Sequence, residues 1–69
     1  MKATTRQEHG ADLVLVRQGA GFFVEKNRQG MSGRSVSRVE GDRMARDERF
    51  VSVLVRSEDG EVITYRGCE

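Results

Sequence analysis

The sequence predicts an α+β fold: a small antiparallel sheet of two β-hairpins with one short helix between them, in the order ββαββ. Three observations predict it. Two pairs of short apolar runs are each split by a glycine-bearing turn, which is the hairpin signature. Between them, Ser37 and Glu40 have capping-box spacing ahead of a run of helix formers. The chain has 69 residues and no Pro- or Ser-rich linker, so it holds one domain.

Taken in order, residues 1–11 are polar and read as a flexible N-terminal arm, leaving 12–69 as the single domain. Leu13–Arg17 is the first strand. Gln18-Gly19-Ala20-Gly21 is a tight turn, and Phe22–Lys26 returns. Asn27–Gly33 is loop-like. From Ser37 to about Glu48 the chain favours helix, although Gly41 inside it costs up to about 1 kcal/mol. The helix's apolar stripe is Val36, Val39 and Met44, interrupted by Arg43 and Asp47. An alternative makes residues 31–39 a third strand of an all-β, SH3-like five-stranded meander. The second hairpin pairs Phe50–Arg56 with Glu61–Arg66 around Asp59-Gly60. A two-residue loop would set Glu58 opposite Glu61, whereas a longer loop starting at Ser57 avoids that repulsion.

Strand alternation carries the next inference. Val51, Val53, Val55 and Val62 share one face, and Phe50, Leu54, Ile63 and Tyr65 the other. On the first hairpin Leu13, Leu15, Phe22 and Val24 oppose Val14, Val16 and Phe23. Both sheet faces are apolar, and one short helix covers only one. The other needs barrel closure, a second subunit or a partner. A domain this small buries only about 60% of its unfolded surface. Cys68, the sole cysteine, cannot form an internal disulfide, and with His9, the sole histidine, it makes no zinc site. The expected staple is therefore association, most simply as a homodimer.

Composition bounds the function. Charged residues are 33% of the chain and apolar ones 36%, and no apolar run approaches the ~18 residues of a membrane span. The first nine residues lack the apolar stretch of a signal peptide. With a lone thiol, these features lead us to expect a soluble cytoplasmic protein with no membrane partner. Net charge is +1, which exerts no strong global pull on nucleic acid. Of the 12 basic residues only Lys2 and Lys26 are lysine. Arginine suits bidentate phosphate and carboxylate contacts, although a GC-rich coding sequence produces the same bias.

No catalytic pair is legible: His9 and Cys68 lie near opposite ends, and Asp47-Glu48 and Glu58-Asp59 read as solubilising charges. The protein is expected to be no enzyme and to use no cofactor or metal. Gly19-Ala20-Gly21 precedes a strand rather than a helix, so it is a hairpin turn and no dinucleotide fingerprint. Gly30-Met31-Ser32-Gly33 is a glycine loop ahead of a helix, which can present N–H groups to an anion. Its Gly-x-x-Gly spacing resembles the KH-domain loop, which joins two helices, whereas a strand precedes it here.

Two surfaces are candidates. On a helix Arg38, Asp42, Arg46 and Arg49 share one arc, and with Arg34 they form a basic ridge for nucleic acid or another anion. Asp42 within the row, and i,i+4 pairing to it, argue instead for a solvated face. No aromatic interleaves with these arginines. The second surface is Phe50, Leu54, Ile63 and Tyr65 flanked by Arg56, a composition typical of protein interfaces. In length, charge density and element order the chain resembles small accessory proteins of phages and mobile elements, including anti-CRISPR inhibitors. That resemblance implies docking on a larger protein to regulate or inhibit it. The alternative is a nucleic-acid-binding regulator using the arginine ridge.

Overall fold

The computed structural model describes residues 10–67. The chain runs β1 (Leu13–Gln18), β2 (Gly21–Asn27), β3 (Arg34–Val36), α1 (Arg38–Arg46), β4 (Val53–Arg56) and β5 (Val62–Arg66). The five strands form one sheet in the order β3-β2-β1-β4-β5.

Both expected hairpins form. Gln18 pairs with Gly21, so the first loop is Gly19-Ala20, and Gly19 takes φ +53°. Glycine is needed at this first central position because an L side chain there is strained. The second loop is the longer one starting at Ser57. The Ser57 amide donates to Glu61 O at 2.7 Å, and the Glu61 amide donates to Ser57 Oγ at 3.1 Å. Gly60 closes the turn with φ +97°.

The sheet is mixed, which corrects the antiparallel expectation. β1 and β4 run parallel, Leu13 beside Val53 and Val16 beside Arg56. The cause is topological. Parallel neighbours need a crossover of a dozen or more residues. β3 lies antiparallel to β2 and so runs in the direction of β1. Residues 37–52, with α1 among them, carry the chain past β2 and β1 to pair β4 on the far side. The helix and third-strand readings of the middle segment each hold in part: Arg34–Val36 is a strand, and Arg38–Arg46 is a helix. The SH3-like meander is excluded by that helix and by the parallel pair.

Two register shifts matter. Val14 pairs with Lys26 and Leu15 with Val24, so Glu25 is an extra residue in β2. Val55 pairs with Thr64 and Arg56 with Val62, so Ile63 is extra in β5. Such bulges bend a strand and re-aim side chains.

α1 starts where Ser37 Oγ accepts from the Glu40 amide at 3.1 Å. It meets the sheet through Gly41, Met44 and Ala45; of the predicted stripe Val36 and Met44 pack on the core, whereas Val39 is 67% exposed. A Cβ built on Gly41 would stand 2.1 Å from Phe22 Cδ2, so the ring occupies the space that a side chain would need. Under the helix lie Leu13, Leu15, Phe22, Val24, Phe50, Val53 and Val55. On the opposite face Ala11, Val14 and Leu54 are buried, with Tyr65 packed against them. Ala11, read from the sequence as part of a polar arm, is fully buried, and residues 1–9 of that arm lie outside the described residues. The second face is thus closed at its centre, with Leu54 0% exposed. The motive for covering it with a second subunit falls away.

The parallel ladder is anchored at its start by polar contacts. Ser52 O accepts from the Asp12 and Leu13 amides at 3.0 and 3.2 Å. Ser52 Oγ accepts from the Asp12 amide at 3.0 Å and donates to Gly10 O at 3.1 Å. Asp12 Oδ2 accepts from the Val51 amide at 3.0 Å. Ser52 is the buried polar residue here, and these bonds satisfy it.

Candidate binding surfaces

β4 begins only at Val53, so the alternation read from Phe50 onward does not apply to Phe50, Val51 and Ser52. Phe50 is buried in the core under α1, Val51 is 63% exposed, and Ser52 is in the anchor just described. Leu54 and Tyr65 are opposite one another on the other side of the sheet. The expected single face of Phe50, Leu54, Ile63 and Tyr65 is therefore divided between the two sides. Arg56 is mostly buried and is paired with Glu25, the residue that the β2 bulge re-aims. With Val16 and Phe23 this pair lines a shallow concavity beside the β4–β5 turn.

The arginine ridge is kept only in part: Arg38, Asp42 and Arg46 are on α1 at i, i+4 spacing, whereas Arg34 and Arg49 lie outside the helix. Arg34 is on β3, across from Val24. Arg38 and Arg46 are exposed at the two ends of α1, about two turns apart, with Asp42 exposed between them. Arg49 lies past the C-cap residue Asp47 and is held by it: Nη2 donates to Asp47 Oδ2 at 2.8 Å, and Nε contacts both carboxylate oxygens at 3.2–3.3 Å. The Arg49 amide adds a bond to Oδ1 at 3.0 Å. The Arg49 side-chain bonds, and then its amide bond, hold the Asp47 carboxyl below its usual pKa. The same contact raises the Arg49 guanidinium.

The glycine loop is occupied by its own turn. Asn27 Oδ1 accepts from the Gln29 amide at 2.9 Å, and the Gly33 amide donates to Val24 O at 2.7 Å. The loop leads into β3 rather than directly into α1, which corrects the picture of a glycine loop at a helix N-terminus. His9 and Cys68, set aside as catalytic candidates on sequence, lie outside the described residues.

No protein-family model, curated protein or solved structure matches this chain.

The feature that sequence reading passed over is the sheet's edge. Among the described residues β3 and β5 are the two edge strands. β3 has three residues and opens on an arginine, and shortness and charge both blunt an edge. β5 has five, Val-Ile-Thr-Tyr-Arg, and contains no Pro, Gly or Lys. Val62 and Ile63 are each 46% exposed. The bulge at Ile63 is what moves Val62 off the valine face expected of it. No local residue pattern announces that extra residue. The edge position was equally hidden, since it depends on the order in which the hairpins join. At its far end β5 is tied down by Arg66, whose Nη2 donates to Phe50 O at 3.0 Å and to Asp47 O at 3.3 Å.

Proposed function

We propose that the protein is a small non-enzymatic binding module that docks on a larger protein and regulates or inhibits it, with the outer edge of β5 as its docking element. One observation carries this reading. β5 is an edge strand of β-branched and aromatic residues with two half-exposed aliphatic side chains, blunted by the bulge at Ile63 and the terminal Arg66 alone. An extended segment of a partner adds to an edge of this kind as one more strand. Main-chain hydrogen bonds then supply affinity, and alternate side chains supply specificity. Docking on a larger protein is what the resemblance to small phage and mobile-element accessory proteins, in size and charge density, implies. The reading includes a cytoplasmic location, which rests on composition and the single thiol alone.

The test is affinity capture from the native source, comparing the wild-type chain with Ile63→Lys at low and high salt. Ile63 is exposed, so a lysine there charges the edge without entering the core. The expected result is a protein retained by the wild type at both salt concentrations and lost with the variant. Thr64→Pro, checked for folding by circular dichroism, provides a second block. Retention of nucleic acid that collapses as salt rises would favour the arginine surface instead. A partner held equally by both variants would overturn the edge assignment.

A further inference from the structure

We infer that, without a foreign strand, the β5 edge is taken by a second copy of this chain, antiparallel about a two-fold axis at Thr64. This inference rests on the docking role of β5 given above and names the competitor for that edge. The strand is self-complementary in this register. Thr64 meets its own copy and Ile63 meets Tyr65, while the bulge at Ile63 leaves Val62 out of regular step with Arg66. Thr–Thr and aromatic–aliphatic pairs are favourable neighbours across strands. Charge selects the orientation. β5 is preceded by Glu61 and ends on Arg66, so antiparallel pairing brings the basic end of each copy toward the acidic end of the other. Parallel pairing would set Glu61 by Glu61 and Arg66 by Arg66, which is repulsive. At the strand rise the two arginines then stand about 13 Å apart. β3 offers no equivalent, because three residues opening on Arg34 make too short a ladder. The product is one continuous sheet across two copies. Self-pairing and partner docking exclude one another, so partner binding would draw on a monomer pool set by concentration.

Sedimentation equilibrium over a range of concentrations reads the association directly. The expected result is a species of twice the 7.8 kDa chain mass. Ile63→Lys, which brings two lysines into each interface, should raise its dissociation constant about tenfold. Thr64→Cys in a Cys68→Ser background should give a covalent dimer on oxidation. Opposed residues of an antiparallel pair lie about 4.5–5.5 Å apart at Cα, within disulfide reach. Arg34→Cys in the same background should not crosslink. A monomer at every concentration overturns the inference, as does a dimer insensitive to Ile63→Lys that Thr64→Cys fails to trap. A monomer that still captures a partner through Ile63 leaves the proposed function standing and removes only the self-pairing. A Thr64-trapped dimer with no edge-sensitive partner does the reverse.

Discussion

A nine-residue helix with glycine at its fourth position gives up about 1 kcal/mol of propensity relative to alanine. At Gly41 that loss has a structural return, because the Phe22 ring lies where a Cβ would be. Gly41→Ala should therefore destabilise the protein despite the better helix former, by about 1–3 kcal/mol as in other overpacked cores. In a domain of this size each kcal/mol moves Tm by about 4–8 °C. A thermal melt beside the exposed neighbour Asp42→Ala checks it, and a rise in Tm for Gly41→Ala would refute the packing account. Asp47 gives a second test at this scale. Its carboxyl is depressed below the ordinary 3.8 by Arg49, so the contact is complete above that value and is lost as pH falls through the lower folded value. A carboxyl-carbon NMR titration should place the Asp47 midpoint under 3.8, and Arg49→Ala should move it back up.

Elements were legible where local chemistry decides them, and illegible where distant segments do. Gly19, Gly60 and the Ser37–Glu40 cap each announce a turn or a helix start through their own backbone needs, and each is found in that role. Of the two loops that the sequence left open for the second hairpin, the longer one starting at Ser57, which avoids the repulsion of Glu58 and Glu61, is the one found. The parallel β1–β4 pair, the bulges at Glu25 and Ile63 and the early end of alternation at Ser52 are set by partners far along the chain. The candidate surface suffered most from this, since Phe50 moved into the core and Val62 moved out of it. Ser52 shows the cost of reading alternation alone: as a strand residue it is unremarked, but as an anchor it links the starts of β1 and β4. Ser52→Ala should remove the bond to the Gly10 carbonyl and cost about 1 kcal/mol, with a larger loss if that carbonyl is left dry. Chemical denaturation beside the exposed Ser32→Ala, expected to stay within about 0.5 kcal/mol of the wild type, measures it.

At the scale of the molecule, the first hairpin with the short β3 beside it and the second hairpin become one sheet through a single seam. Each hairpin closes through a short loop, and events of that kind take on the order of microseconds. Neither is stable by itself, because an isolated two-stranded ribbon is marginal in water. The β1–β4 pair joins Leu13 to Val53, so everything between them must first be gathered into a loop. Closing that loop costs conformational entropy before any contact across it is made. Leu54 and Val53 then bury on opposite faces in the same step, the one against Val14 and Ala11, the other beneath α1. Assembly of the two halves is thus also the formation of both cores. A chain severed within the exposed stretch of α1 would yield two fragments that are unfolded apart and structured only when mixed, so the intact backbone acts chiefly to keep each half at high effective concentration for the other.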